Sequence, residues 1–253
     1  MRVTFDSNVW QMVVDPSLGR NGPHLADYEK VHAAVKAKKI EGLICETVGT
    51  LEVVRRRERK DYFTAMHSNV EVKADVQSGH VLMSINVNTN HDQHPGLPDV
   101  LKKRLELALS LGMKLMRAVR MGIPAPSSFL DLSLYADEND VPTAAARDNR
   151  WGEIVGEIEA RGVGGGVIAK LDKRIRGSAL DAQTEQVFVR AVSEWADGDA
   201  VAAHIAYGND IFCTQDQGKS AGGPSILGEG NRLWLSSTYG VRFATISELA
   251  AQL

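Results

Sequence analysis

The chain has 253 residues, 43% of them hydrophobic, so it can bury a sizeable core without disulfides or structural metal. Its net charge of −3 excludes bulk electrostatic capture of phosphate and leaves any nucleic-acid contact to local basic patches. Two cysteines, no apolar run of membrane-spanning length and no secretory pattern at the start fit a soluble, cytoplasmic protein with no membrane partner.

Arg2 to Phe5 reads as a short strand, and Asp6-Ser7-Asn8 as turn or helix-cap chemistry. From Asp27 to Lys39, Val31, Ala34 and Val35 recur at helical spacing and lysines end the run. Gly42-Leu43-Ile44 reads as a second buried strand. Thr47 to Arg59 resumes helical spacing through Val48, Leu51 and Val54. Strand, helix, strand, helix is the opening of a parallel α/β sheet. Val81 to Val87 alternates like a strand before a polar loop runs to Pro98. Asp99 to Arg120 is predicted as one amphipathic helix, with Leu101, Leu105, Ala108, Leu109, Met113 and Met116 on its apolar face. Pro124 and Pro126 stop it.

Asn149–Arg161 and Ala179–Trp195 read as further helices, with a glycine turn at Gly164-Gly165-Gly166 between them. Asp199 to Tyr207 reads as a separate short helix capped by Gly208, and Ile211 to Thr214 as a strand. Gly240 to Thr245 is the last predicted strand, and Ile246 to Leu253 a closing helix that Ser247 caps. The two ends, about 1–60 and 195–253, thus carry the clean α/β units of a single domain. Residues 61–194 read as a large central insertion.

Ligands of an open parallel sheet bind beyond the carboxyl ends of its strands. Asp6 follows the first strand, and Glu46 and Glu52 lie just beyond the second. Asp199 starts a helix leading to a later strand, and Asp216 follows that strand. Carboxylates gathered there raise one another's pKa, and a shared Mg²⁺ or Mn²⁺ relieves the repulsion because hard oxygen ligands suit hard cations. Such a metal activates water for in-line phosphoryl displacement. Taken singly, Asp6 and Asp199 are equally well explained as helix caps and Asp216 as turn chemistry. The joint pattern favours chemistry.

Val3-Thr4-Phe5-Asp6-Ser7-Asn8-Val9 resembles the opening of PIN-domain nucleases. The stretch from Asp199 through Thr214-Gln215-Asp216 resembles that family's third acid, strand and Thr-x-Asp, and Tyr239 to Leu249 is similar to its final strand and helix. The resemblance implies a PIN-like α/β fold with a central parallel sheet, and a metal-dependent endoribonuclease leaving 5′-phosphate and 3′-hydroxyl ends. It implies Asp6, Asp199 and Asp216 as ligands of Mg²⁺ or Mn²⁺, with a glutamate that is either Glu46 or Glu52. Asn8 and Thr214 would orient carboxylates or water. An RNA substrate is implied, with an antitoxin or other protein partner as a further family association; a homo-oligomer built through the central segment stays open. Compact family members are shorter, so the role of the central segment does not follow.

Other features are weaker. Arg55, Arg56 and Arg57, with Arg59 and Lys60, are candidates for RNA backbone contact, though such runs usually sit on a solvated helix end. The same holds for Lys102, Lys103, Arg104, Lys114, Arg117 and Arg120, and for Arg174 and Arg176. His91 and His94 lack a third metal ligand. His204 and Cys213 read as core residues. Two alternatives stay open: a DNA- or structure-specific nuclease of the same fold, and a catalytically weak module for nucleic-acid binding or assembly.

Overall fold

The computed structural model describes residues 1–55, 58–59, 62, 66–75, 80–89, 95–118, 120, 125–137, 140–168, 182–218 and 225–253, with the backbone alone for 66–75, 80–89 and 182–185. Its strands are β1 (Arg2–Phe5), β2 (Glu41–Cys45), β3 (Met66–Asp75), β4 (His80–Thr89), β5 (Lys114–Met116), β6 (Ile211–Cys213) and β7 (Phe243–Ala244). Its helices are α1 (Ser7–Val14), α2 (Leu25–Lys36), α3 (Thr47–Thr50), α4 (Asp99–Ser110), α5 (Val141–Ala160), α6 (Ala182–Ala206), α7 (Glu229–Tyr239) and α8 (Ile246–Ala251). Five strands form an all-parallel sheet in the order β5-β2-β1-β6-β7. The antiparallel pair β3–β4 is a separate ribbon.

Alternation along each strand buries both faces of the sheet, as a parallel sheet requires. Val3, Phe5, Ile44, Ile211 and Cys213 join a cluster with Trp10 of α1, Val31 of α2, Leu105 of α4 and Leu249 of α8. Leu43, Cys45 and Phe212 join the opposite cluster, with Trp151 of α5, Val201 of α6 and Leu235 of α7. The strands are short, so burial holds the layers. Fully burying a side chain such as Phe5 or Phe212 contributes about 1.5–3 kcal/mol, more than the roughly 1 kcal/mol of one ladder hydrogen bond. A third cluster packs Leu51, Val54 and Tyr62 against Phe188, Val192 and Trp195 of α6.

An α/β fold with a central parallel sheet flanked by helices therefore stands, but several elements differ from expectation. The predicted helix Asp99–Arg120 ends at Ser110, because Gly112 adopts φ +84°. The apolar run after it becomes edge strand β5, paired in parallel with Leu43–Cys45. Sheet and core thus draw on residues inside 61–194, which is more than an added elaboration. Of the predicted helix Thr47–Arg59, α3 covers Thr47–Thr50, Leu51–Val53 form a turn, and Arg59 is helical again, its N–H donating to the carbonyl of Arg55 at 3.0 Å and its Nε to the carbonyl of Val54 at 2.9 Å.

The two helices expected either side of Trp195–Asp199 are one, α6. Gly198 lies within it because the helix presses on a neighbouring turn: a Cβ there would stand 2.8 Å from Cα of Gly164. Near the end of the chain, β7 covers only Phe243–Ala244, and α7, unread in the sequence, occupies the stretch before it. Gly240, at φ +72°, caps α7. Thr245 caps α8 in a reciprocal box with Glu248, and Ser247 instead donates to Asp27. Strand β4 contains the expected Val81–Val87, whereas its partner β3 had no clear signal.

Candidate active site

Asp6 follows β1 directly and caps α1, so the cap and the site reading describe the same residue. Its Oδ1 accepts the Ser7 backbone N–H at 2.7 Å. Its Oδ2 accepts Nδ2 of Asn8 at 2.7 Å and the Thr214 hydroxyl at 2.5 Å. Asn8 in turn accepts the Gln215 N–H at 3.1 Å, and Thr214 accepts the Asp216 N–H at 3.0 Å. Asn8 and Thr214 thus tie the end of β1 to the loop beyond β6, which orients Asp6. Oδ1 of Asp216 accepts the Gly218 N–H at 2.7 Å.

Glu52, just past α3, and Asp197, inside α6, complete this group. Burial holds the carboxyls of Asp6, Glu52 and Asp197 above the usual range, and the acids then reinforce one another. Glu52 is pushed up to about 7 by burial and then by Asp6, with a hydrogen bond to the Ser7 side chain and then the Arg59 charge opposing. Asp197 is raised well above its ordinary value by burial, then by Asp6, Glu52, Glu194 and Asp216. Glu194 lies one helical turn before Asp197, and its Oε1 accepts the backbone N–H groups of Gly164 (3.2 Å) and Ile226 (2.5 Å). Arg232 of α7 donates to the carbonyls of Leu227 (2.7 Å) and Asp216, which brings its charge near Asp216 and Asp6.

Asp199 is not in this group, contrary to expectation. Two residues along a helix is more than half a turn, so Asp197 and Asp199 leave α6 on different faces. Asp199, 1% exposed, forms a two-pronged ion pair with Arg120, Nε to Oδ2 at 2.7 Å and Nη2 to Oδ1 at 2.6 Å. Arg120 also reaches Glu159 at 2.9 Å, and its guanidinium lies 5.6 Å and 5.0 Å from the ring centres of Trp151 and Trp195. Burial raises the Asp199 carboxyl, and the Arg120 charge opposes the rise.

Glu46 is likewise apart from Asp6. Its Oε1 accepts the Ala118 N–H at 2.7 Å and its Oε2 the Tyr135 hydroxyl at 2.6 Å. Glu46, Asp199, Arg117, Arg120 and Tyr135 line a cleft of about 230 Å³ beside the carboxyl ends of β2 and β5. Of the two glutamates left open by the sequence, Glu52 is the one in the field of Asp6.

Among the described residues, no three His, Cys, Asp or Glu side chains are grouped to hold a metal ion as they stand. The same residues include no helix long and apolar enough to cross a membrane. Several basic candidates have structural partners. Arg59 clamps the carbonyls of Val54, Val189 and Glu52, Lys114 donates to the Ser133 carbonyl at 2.6 Å, and Arg117 pairs with Asp148 at 3.8 Å. Arg55 is exposed beside Glu58, and Lys102 and Lys103 are exposed on α4. Arg56, Arg57, Lys60, His91, His94, Arg174 and Arg176 lie outside the described residues.

Sequence reasoning missed Asp197, Glu194 and Arg232. Had α6 been read straight through Gly198, the spacing of Glu194 and Asp197 would have put two acids on one face. Compared with known proteins, the chain matches no family model, no curated protein and no solved structure.

Proposed function

We propose that the protein is a metal-dependent phosphodiesterase of PIN-like fold that hydrolyses RNA. One observation carries this: Asp197 lies in the field of Asp6, Glu52 and Asp216, acids from three other segments, past the carboxyl ends of central parallel strands. Like charges gathered at a half-buried edge are costly unless something positive joins them. An all-carboxylate donor set suits Mg²⁺ or Mn²⁺. The spacing is not yet that of a closed ligand set, so binding a cation has to draw the side chains together. Once bound, the ion supplies water activation and charge neutralisation at phosphate.

The four acids are the proposed ligands. Asn8 and Thr214 hold Asp6 in one orientation, and Arg232 ties the Asp216 backbone to α7. Asp199 and Glu46 are not proposed as ligands, since each already serves a local partner. To test the proposal, labelled single-stranded RNA and its DNA counterpart are incubated with the protein and Mn²⁺, with and without chelator, beside Asp6→Asn and Asp197→Asn. RNA cleavage that needs Mn²⁺ and both acids is expected. Cleavage that survives in both variants would falsify the assignment.

The open spacing of the acids also favours a second reading, a PIN-like module that binds nucleic acid without cutting it. Binding of RNA without cleavage at any Mn²⁺ concentration selects that module.

A further inference from the structure

The cleft beside the acid group has a character of its own. Its lining charges balance: Arg117 and Arg120 stand against Glu46 and Asp199. A phosphate dianion gains little from such a site. Its lining, by contrast, includes Leu130 and Leu132, which stand side by side and are 75% and 55% exposed. Balanced polar groups and exposed apolar side chains in one lining suit a flat, uncharged, hydrogen-bonding ring.

The cleft lies at the same carboxyl edge of the sheet as the acids. The segment from Glu46 to Glu52 runs from one to the other, and α6 presents Asp197 to the acids and Asp199 to the cleft. We propose that the cleft between Glu46, Arg120 and the two exposed leucines is a nucleobase subsite, taking the base of a single-stranded nucleotide beside the phosphate held at the acids. This rests on the phosphodiesterase proposal for the neighbouring phosphate. The base contact itself needs no metal. Unpaired bases splayed from a strand are the usual handle for recognising single-stranded nucleic acid.

The test measures binding without catalysis. A fluorescently labelled single-stranded RNA oligonucleotide and a ribose-phosphate oligomer of equal length lacking all bases are titrated against the protein in EDTA. The wild type, Asp6→Asn and a Leu130→Ser/Leu132→Ser double variant are compared. Both leucines are exposed, so the double variant is expected to fold, which circular dichroism and its Tm check. The intact RNA should bind about tenfold more tightly than the base-free oligomer. That preference should persist in Asp6→Asn and collapse in the double variant. Equal affinity for the two oligomers in the wild type, or a preference untouched by a folded double variant, overturns the subsite. Base-selective binding by a protein that never cleaves RNA leaves the subsite standing and removes the phosphodiesterase, so the two failures are distinct.

Discussion

Two groups of acids stand at the carboxyl edge of one sheet, and they differ in what faces them. Asp199 is buried against a guanidinium that is itself held by Glu159 and two tryptophan rings. Asp197, two residues earlier on the same helix, faces Asp6, Glu52, Glu194 and Asp216. A buried acid with its counter-charge built in has completed its electrostatics within the fold. One surrounded by other acids has not, and either stays protonated or waits for a cation. The difference separates an acid that belongs to structure from an acid available for chemistry, although both are aspartates two residues apart on one helix.

The strongest way to break this contrast is to remove the cation from the satisfied side. Arg120→Ala leaves Asp199 and Glu159 without their partner and opens space between Trp151 and Trp195. The expected loss is about 3–5 kcal/mol, read as a drop in urea midpoint. An unchanged midpoint means the ion pair is not what holds that region. Next comes the unsatisfied side. Asp197→Asn should cut Mn²⁺-dependent RNA cleavage on the order of a hundredfold or more, yet leave the metal-free Tm equal to or above the wild type, because it removes repulsion. If Asp199→Asn abolishes cleavage in a folded protein while Asp197→Asn does not, the two roles have been assigned the wrong way round.

Proton linkage sharpens the same contrast. Glu52 is held at about 7 in the folded protein, above its ordinary 4.5. The native state therefore binds more protons than the unfolded one between those values, and stability falls as pH rises through that window. His204 acts oppositely: burial holds it down at about 4, so its contribution is full above its ordinary 6.5 and lost as pH falls. Measuring the wild type against Glu52→Gln from pH 5 to 8 cancels the histidine. The wild type should lose roughly 2 kcal/mol relative to the variant over that range, allowing for partial screening at the exposed edge of Glu52, and saturating Mn²⁺ should abolish the loss. A flat difference curve without metal is inconsistent with a strained carboxyl at this position.

Much of this arrangement is legible in the residues themselves. The alternation in β1, β2 and β6 and the placement of Asp6, Asn8, Thr214 and Asp216 at strand ends follow from local pattern, because strand-end chemistry depends on a few adjacent residues. In the proposed reading the third acid stands two positions before Asp199, for an equally physical reason. Gly198 weakens local helix preference, so Asp199 reads as the start of a helix; the actual helix continues because Gly198 packs on Gly164, a contact distant in sequence. Strand β5 was hidden similarly. The apolar spacing of Met113 and Met116 continues that of α4, and only the positive φ of Gly112 turns the chain into the sheet. The choice between Glu46 and Glu52 depended on how far α3 runs, and tertiary contacts of Arg59 shape the chain beyond it.

The smallest expected effect concerns the support of Asp6. Asn8 donates to Asp6 at 2.7 Å and accepts the Gln215 N–H at 3.1 Å, so it sets both the carboxylate rotamer and the approach of the Thr214–Asp216 loop. Asn8→Ala keeps every proposed ligand but frees Asp6 to turn. Losing such an orienting partner weakens metal affinity or activity by about tenfold. The loss should appear chiefly as a higher Mn²⁺ concentration for half-maximal cleavage, with kcat at saturating metal largely recovered, because the bound cation can itself fix the carboxylate. Asn8→Asp separates orientation from charge: it adds a carboxylate beside Asp6 and should raise the metal-free proton affinity of the group. If Asn8→Ala lowers kcat and leaves the Mn²⁺ requirement unchanged, Asn8 acts on substrate and not through Asp6.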